Sequence, residues 1–545
     1  MYASEFFTEE EKSKLRPYFT NLEGPVFALV NLPEVVKGAL FARYSRSGKS
    51  LRRLFLDEFA DNLAIDESEI SAVKIGVERA EKLYETVFFE YGDDSVAQLG
   101  GVHLACEQVS NFLTKILERG RLMSYLEQST RYIRYDMPLS SGEYRYYKDP
   151  DIMNSTLADR YVQDMNRVFE IYGELYKKAE EYLLSTYFPE GESTVTKPEL
   201  RAIRALALDL LRGILPIGTV SNMGIYASGQ AFEQLLLRML SSDLPEARSY
   251  GEMVKTELMK VIPDFLSRVD RADRGGVWMT YIADCRGATK NAVGKVVGSD
   301  RPSESYSDDV IMTSRPSVDL VSYDPDGQDR VVEAILFSTT DLSSDEIRAI
   351  LPLDQEEMRQ IFKSYVGDRS NRRHKPGRAF ESTAYNFEVI SDYGAFRDLQ
   401  RHRMLTIEWQ DPNPQLGFHI PPEIIQAGLN DLYLESIQIL ADLHVALRDF
   451  FPVQAIYALP MATNIRYRLE LNAREAMHLI ELRSSPQGHP NYRYVAQEMH
   501  RLIQDEAGHD LIASAIEYVD FSEVKIGRLE AEKRSESQID NTPNT

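Results

Sequence analysis

Cysteine is scarce in this chain of 545 residues, and its 62 lysines and arginines are outnumbered by 85 acidic residues. Cys106 and Cys285 stand far apart and form no disulfide or zinc-binding pattern, so we expect a reducing, cytoplasmic location. The formal net charge of -23 argues against general nucleic-acid binding and against a polybasic membrane anchor. No apolar run approaches the length of a membrane span, and the first residues lack the basic-then-apolar order of a signal peptide. An anionic ligand would therefore need a local positive pocket.

The length of the chain predicts two or more domains, each able to bury a core. Between 271 and 317 the sequence carries Gly-Gly, Gly-Ser and Arg-Pro breaks and little periodicity, which is typical of a connection. After about 521 it becomes charged and rich in serine and asparagine, as flexible tails are. We therefore predict domains at 1–270 and 318–520, a linker at 271–317 and a flexible tail at 521–545.

The first arginine-rich stretch contains Arg119, Arg121 and Arg131 within an acidic chain. In an extended segment Glu127, Ser129 and Arg131 would point to the same face, because side chains alternate along a strand. A carboxylate, a hydroxyl and a guanidinium on one face can bind an anionic, hydrogen-bonding ligand such as a nucleotide. The alternative is an edge segment whose arginines are solvated or paired with surface acids.

A second arginine-rich stretch follows in the second half, and the two halves share a series of landmarks. Each half has an Arg-x-Arg, a Leu-Pro and a late helix that closes on an arginine. The proposed pairs are Arg119 and Arg121 with Arg401 and Arg403, Leu215-Pro216 with Leu459-Pro460, and Arg238 with Arg483. The distance from the proline to the final arginine is 22 positions in one half and 23 in the other. We therefore predict a tandem duplication.

Several of these residues form pieces of a known signature. Arg401-His402-Arg403, Ser129-Thr130-Arg131-Tyr132, and Asn472-Ala473-Arg474 leading to His478 and Arg483 resemble the signature of the flavin-dependent thymidylate synthases. Neither half carries all of it. The first half has Gly120 where the signature has histidine, and the second has Asp411 where it has serine.

The resemblance implies that the binding roles are divided between the halves. It assigns nucleotide binding to Glu127, Ser129, Arg131, Arg212, Arg238 and Arg483. It assigns FAD binding to Arg401, His402, Arg403, Asn472 and His478, with Arg119 and Arg121 as the first-half counterparts. In this alignment Ala227 and Glu233 stand where Asn472 and His478 do, and Ile456 stands where Arg212 does.

The resemblance also implies a fold and a reaction. The fold is α/β (α+β), with two tandem domains that each pack a twisted sheet with long helices. The reaction converts dUMP to dTMP with FAD, NADPH and methylenetetrahydrofolate in a composite site between the halves. It needs no enzymic nucleophile, so no catalytic residue and no metal is assigned. Two chains are expected to form a homodimer that imitates the family's tetramer.

Two alternative functions stay open, as does a purely structural role for one residue. The departures at Gly120 and Asp411 are compatible with a relic that binds nucleotide or flavin without catalysis. Glu475-x-x-His478 and Glu506-x-x-His509 have the spacing by which helices present ligands to a di-iron site. Asn472 could also serve only as a helix cap.

Overall fold

The computed structural model describes most of the chain. The described residues are 6–60 except 24–26, 28, 35, 38–39 and 41–48; 98; 100–297 except 132, 140–141 and 191–194; 311–523; 526–530; 532–533; and 536. The chain forms two compact units that interleave in sequence. Unit 1 comprises Met1–Glu107, Ile116–Glu127 and Asn222–Arg301, and unit 2 comprises Gln108–Lys115, Gln128–Ser221 and Pro302–Thr545.

Helices and strands are mixed along the described chain. The strands are β1 Gly101–Ser110, β2 Met123–Glu127, β3 Val220–Ser228, β4 Met312–Thr313, β5 Ser317–Tyr323, β6 Ala384–Asp392, β7 Thr406–Trp409, β8 Phe418–His419 and β9 Asn464–Asn472. The α-helices are α1 Glu9–Leu15, α2 Leu51–Glu58, α3 Leu113–Leu117, α4 Pro150–Met153, α5 Ala158–Tyr187, α6 Lys197–Leu211, α7 Gly229–Leu240, α8 Pro245–Leu258, α9 Pro263–Leu266, α10 Val277–Val297, α11 Gly327–Thr339, α12 Ser344–Ile350, α13 Gln355–Val366, α14 Tyr393–Leu399, α15 Pro422–Gln426, α16 Asn430–Arg448, α17 Ala473–Arg483, α18 Pro490–Asp505 and α19 Asp510–Ala515.

Unit 1 contains a sheet in the order β1-β3-β2. Strands β2 and β3 are antiparallel, with Glu127 opposite Met223. Helix α7 starts directly after β3 because the side chain of Ser228 accepts the backbone N–H of Ala231 at 3.4 Å and so caps its first turn. Its buried face, which includes Phe232, packs on α8, α9 and α10.

Unit 2 contains an antiparallel sheet in the order β5-β6-β9-β7, whereas β4 and β8 pair parallel to each other. The alternation of apolar and polar residues over 385–390 predicts a half-buried strand. In β6 the buried residues Tyr385, Phe387 and Val389 do alternate with less buried ones, which confirms it. The order β6-β9-β7 repeats the order β1-β3-β2 of unit 1. The mixed helix-and-sheet fold class predicted from the sequence is confirmed.

Two long helices of unit 2, α5 and α16, pack against each other. In the sequence of α5, apolar residues recur at intervals of three and four positions, which predicts one buried helix face. These residues are all fully buried: Tyr161, Met165, Val168, Tyr172 and Leu175. The period of three and four therefore identified the buried stripe of this helix correctly.

The two Leu-Pro segments bind each other within unit 2 by a reciprocal set of backbone hydrogen bonds. Ile217 N–H donates to Leu459 C=O at 2.7 Å, and Met461 N–H donates to Leu215 C=O at 2.9 Å. Gly218 N–H donates to Tyr457 C=O at 2.9 Å, and Ala462 N–H donates to Gly213 C=O at 2.7 Å. Each bond has its mirror partner 244 positions away, as expected for two copies related by a local twofold axis.

The segment predicted as a linker and the segment predicted as a tail both contain ordered structure. Helix α10 occupies Val277–Val297, and most of its side chains are exposed. Its sequence includes Gly287 and Gly294 but no proline, so no backbone N–H of the helix is missing. In the tail, Glu532 and Glu536 bind Arg201 of α6 at 3.0 and 2.6 Å. Among the described residues no helix is long and apolar enough to cross a membrane.

Candidate functional site

Four arginines surround one carboxylate, Asp398, in unit 2. Asp398 lies near the end of α14, at 3.5 Å from Arg212 Nη1 and 3.8 Å from Arg483 Nη1. Burial would raise the pKa of Asp398, but Arg401, Arg483, Arg212 and Arg131 outweigh it and hold this pKa below its ordinary value. Arg131 and Arg212 come from the first sequence half, and the other two arginines from the second.

Arg131 is held by a buried acid. Its Nε and Nη2 donate to the two carboxylate oxygens of Asp209 on α6, in a bidentate pair. Its Nη1 donates to the hydroxyl of Tyr492, and its Nη2 also donates to the Gln487 carbonyl, each at 3.2 Å. Burial opposes the charge of Arg131, but Asp209 outweighs it and raises the pKa of this guanidinium.

The extended segment predicted around Ser129 does not continue. Strand β2 ends at Glu127, which is buried in unit 1, while Ser129 and Arg131 belong to unit 2. The Ser129 hydroxyl accepts the backbone N–H of Arg131 at 3.3 Å and so forms a turn. The prediction that these three side chains share one strand face is therefore wrong, because a local hydroxyl-to-backbone bond replaced the sheet. Tyr132 lies outside the described residues.

Arg212 directly follows α6 and is only 4% exposed. Its nearest carboxylates are Asp398 at 3.5 Å and Asp392 at 3.7 Å. Its Nε and Nη2 are buried without a hydrogen-bond partner in the structure. A Cβ on Gly394 would lie 3.0 Å from Nε, so the glycine lets the backbone approach the guanidinium closely. The site thus contains donors that an anionic ligand oxygen could satisfy.

Two hydrogen bonds connect Arg483, at the end of α17, through His402 to Glu475 in the first turn of the same helix; we call these three residues the relay. Arg483 Nε donates to His402 Nε2 at 2.9 Å, and His402 Nδ1 bonds to Glu475 Oε1 at 3.0 Å. Because Nε2 accepts, the proton of a neutral His402 must be on Nδ1, where it is donated to Glu475. Burial first, and then Arg483 and Lys375, lower the pKa of His402 well below its ordinary value. Arg483 itself has a pKa lowered by burial, although Asp398 favours its charge.

His478 lies beside this relay, with its ring centroid 5.3 Å from that of His402. Burial lowers the pKa of His478 to about 4, although Glu475 acts in the opposite direction. Burial also raises the pKa of Glu475, against the opposing effects of His478 and Lys375. Both imidazoles are therefore neutral at physiological pH.

His402, Glu475 and His478 could also be read as a metal site, since one ligand atom from each lies within 4.8 Å of the others. Both nitrogens of His402 are already engaged, by Arg483 and by Glu475. The cations Arg483 and Lys375 act on the same histidines, which opposes a bound metal ion. We therefore interpret the cluster as the relay and not as a metal centre.

The di-iron alternative is contradicted by the local structure of its second pair. Glu506 and His509 lie between α18 and α19, so the two residues do not share a helical face. His509 Nδ1 instead contacts the hydroxyl of Tyr385 at 2.7 Å.

The other predicted residues lie in different surroundings. Asn472 caps α17, since its side-chain oxygen accepts the N–H of Glu475 at 2.9 Å. Arg403 is exposed in the segment after α14. Arg119, Arg121 and Arg238 belong to unit 1 and are not part of the cluster around Asp398 within unit 2; the first two are exposed, and burial lowers the pKa of Arg238.

The helix caps correct the alignment of the two halves by one residue. Ser228 and Asn472 both cap the helix after the third strand of their half, and each stands 12 positions after its Leu-Pro proline. Asn472 therefore corresponds to Ser228 and not to Ala227. The same shift pairs His478 with Gln234, and Arg483 with Met239 and not with Arg238. One residue turns a helical side chain by about 100°, so Arg238 is not the equivalent of Arg483.

Sequence reasoning missed Asp209, Asp398 and Tyr492, and it considered Glu475 only as a possible metal ligand. Two of them carried a readable signal: Asp209 stands one helical turn before Arg212, and Asp398 stands three residues before Arg401. The contact between Tyr492 and Arg131 spans 361 positions, and no local pattern announces it.

Comparison with known proteins identifies the family. The profile of the family described as "Thymidylate synthase complementing protein" matches residues 42–264 and 319–507. The chain belongs to this family. The two matched segments fall in the two halves predicted from the sequence, and the predicted resemblance to the flavin-dependent thymidylate synthases is confirmed.

Relatives share the full length of the chain. A UPF0159 protein of Chlamydia muridarum is 36% identical over 533 residues, covering 97% of this chain and 98% of the relative. One of Chlamydia pneumoniae is 37% identical over 538 residues, covering 98% of each. One of Thermoplasma acidophilum is 30% identical over 529 residues, covering 91% and 98%.

Two solved structures are also similar, each over less than half of this chain. The UMP/dUMP methylase PolB from Streptomyces cacaoi, bound with 5-Br UMP, is 18% identical and has a TM-score of 0.30, covering 39% of this chain and 99% of that one. Thymidylate Synthase X from Helicobacter pylori, with FAD and dUMP, is 16% identical with a TM-score of 0.28, covering 37% and 99%. Because their sequence identities and TM-scores are this low, the two structures assign no role to any residue of the chain.

Proposed function

We propose that this protein is an FAD-dependent thymidylate synthase that methylates dUMP with methylenetetrahydrofolate and NADPH. One observation carries the proposal. Arg212 Nη1 from the first half and Arg483 Nη1 from the second lie 3.5 and 3.8 Å from the same carboxylate, Asp398. Arg131 of the first half and Arg401 of the second act on the charge of this carboxylate as well. A site composed of a nucleotide side and a flavin side requires that residues from both halves meet in this way.

The nucleotide side is proposed to consist of Arg131, Arg212 and Arg483, with Ser129 shaping the turn before Arg131. Arg212 supports this assignment because its Nε and Nη2 are buried and form no hydrogen bond in the structure, although Nη2 lies 3.7 Å from Asp392. A phosphate or a pyrimidine carbonyl would satisfy them, each charge-assisted bond contributing about 1.5–3 kcal/mol.

The flavin side is proposed to consist of Arg401, His402, Arg403, Asn472 and His478. Reduced FAD, when bound, would supply the hydride. The residues present fit such a ligand: the cap of α17 uses only the carboxamide oxygen of Asn472, and His478 is a neutral imidazole. The relay fixes the His402 tautomer and orients Arg483 from the second half toward Asp398.

A second candidate is a member of the fold that binds its ligands without catalysis. The bidentate pair favours it, because Asp209 already occupies the donors of Arg131 that a phosphate would need. The substitution of Asp411 for the serine of the signature points the same way.

Two measurements on the purified full chain separate the candidates. A flavin absorption spectrum and a dUMP titration test binding, and turnover of dUMP with methylenetetrahydrofolate and NADPH tests catalysis. Binding of both ligands without turnover would favour the second candidate, and absence of flavin together with absence of dUMP binding would contradict both. We also propose a homodimer, which light scattering tests. The cytoplasmic location stays a prediction.

A further inference from the structure

A basic loop in unit 2 forms one wall of a cavity of about 280 Å3. The cavity is lined by Arg372, Arg373, Lys375, His478, Glu481 and Leu482. This volume is just below the range of about 300–1,000 Å3 that encloses a whole drug-sized ligand. The cavity therefore suits one charged part of a larger molecule.

The three cations of this loop form no ion pair with an acid among the residues that the structure describes. Within the described part of the chain, no carboxylate forms an ion pair with Arg372, Arg373 or Lys375, whereas the neighbouring Arg378 and Arg474 both bind Glu381. In a chain with a net charge of -23, three unpaired cations in one short loop are unexpected for a merely solvated surface.

Hydrogen bonds fix the base of the loop, and Arg369 neutralises Glu481, the one acid that lines the cavity. Buried Arg369 forms a bidentate pair with Glu481 at 2.6 and 2.7 Å and donates from Nε to the His374 carbonyl at 2.5 Å. The Tyr518 hydroxyl donates to the Arg369 carbonyl at 2.6 Å. Glu481 thus contributes little repulsion toward an anion, and the loop is held in place before a ligand binds.

The surroundings of Lys375 disfavour its positive charge. Burial first, and then Arg474 and Arg369, lower the pKa of Lys375, while Glu475 and Glu481 act in the opposite direction. Lys375 is exposed, but its charge is partly desolvated beside these arginines, and a bound anion would compensate this.

We propose that Arg372, Arg373 and Lys375 form an anion site that takes the phosphate groups of a nucleotide-type co-substrate entering beside His478. The site deepens the proposed function, which requires a nucleotide co-substrate, and therefore rests on it; the two share only His478. None of the three cations belongs to the signature residues discussed above. Phosphate is the fitting anion because its several oxygens can accept bonds from two guanidinium groups and an ammonium group together.

The test is a calorimetric titration of the full-length protein with inorganic pyrophosphate and, separately, with ADP. The triple variant Arg372→Ser/Arg373→Ser/Lys375→Ser is compared with the control Arg348→Ser/Arg359→Ser/Lys363→Ser, which removes the same charge from helices α12 and α13. The site predicts affinity weakened about tenfold or more in the first variant and unchanged in the control, since one lost charge-assisted bond corresponds to about tenfold. If ADP binds more tightly than pyrophosphate, the site takes a nucleotide. If the two probes bind equally, the site recognises phosphate groups alone.

A variant Arg131→Ala separates this site from the cluster around Asp398. It should retain the pyrophosphate affinity of the unmodified protein. The proposal is overturned if the loop variant and the control bind pyrophosphate equally, or if only Arg131→Ala loses the binding. Flavin absorbance of the same samples reports on the proposed function independently, so failure of one proposal is distinguishable from failure of the other.

Discussion

Arg131 donates a hydrogen bond from Nη1 to the hydroxyl of Tyr492 at 3.2 Å, joining a residue of the first sequence half to one of the second. The same Tyr492 ring lies 5.6 Å from the guanidinium of Arg483. Two arginines contributed by different halves therefore share one aromatic neighbour, and the nucleotide side of the proposed site depends on both halves.

Replacing Arg131 should weaken nucleotide binding and leave flavin in place. Arg131→Ala removes charge-assisted bonds of about 1.5–3 kcal/mol, so dUMP should bind about ten- to hundredfold more weakly. Calorimetric titration measures the affinity, and absorbance of the purified protein measures the flavin. Arg131→Lys, which keeps the charge but not the bidentate geometry, is the control and should lose less affinity. Unchanged dUMP affinity in Arg131→Ala would remove this residue from the site.

Replacing Arg401 should have the opposite effect. Arg401→Ala is expected to lower the flavin content of the purified protein while dUMP affinity changes little, because Arg401 is assigned to the flavin side. Absorbance relative to protein concentration gives the occupancy. If Arg401→Ala and Arg131→Ala both affected the same ligand alone, the division into two sides would be wrong.

The charge of Asp398 should stabilise the fold. The arginines hold its native pKa below that of an unfolded aspartate, about 3.9, so its contribution is complete above that pH and is lost as the pH falls through and below it. Asp398→Asn should therefore lower stability by roughly 3 kcal/mol near neutral pH, because the guanidinium groups lose their counter-charge. Urea unfolding at several pH values measures it. The deficit should stay constant from about pH 8 to pH 5 and shrink below about pH 4; a deficit that grew as the pH fell would contradict the assignment.

His478 should make the protein less stable in mild acid. Its native pKa is about 4, whereas an unfolded histidine titrates near 6.5. Below about pH 6.5 the unfolded state therefore binds more protons, and stability falls with the pH until the native histidine is protonated as well. His478→Gln should show a smaller loss of unfolding midpoint between about pH 7.5 and pH 5. Identical losses in the two proteins would show that His478 is not held neutral.

The reciprocal Leu-Pro contact should tolerate no side chain at Gly218. A Cβ there would lie 2.9 Å from the Tyr457 carbonyl, which accepts the N–H of the same glycine. Gly218→Ala should lower the unfolding midpoint by an amount that corresponds to about 1–3 kcal/mol. Gly287→Ala is the matched control: its Cβ meets nothing within 4 Å in α10, so it should stabilise slightly. Equal midpoints for both variants would contradict the tight contact.

The family and the buried face of α5 could be read from the sequence alone, because they depend on signature residues and on local spacing. The sequence also identified the arginines, but not the acids that hold them. Asp209 contacts Arg131 only because α6 lies beside the turn at Ser129. Asp398 contacts Arg212 only because α14 lies beside the end of α6. Tyr492 contacts Arg131 across 361 positions. The one-residue shift that separates Arg238 from Arg483 was likewise decided by the caps at Ser228 and Asn472. Charge pairing and burial depend on distances between remote segments, and only the folded chain sets those distances.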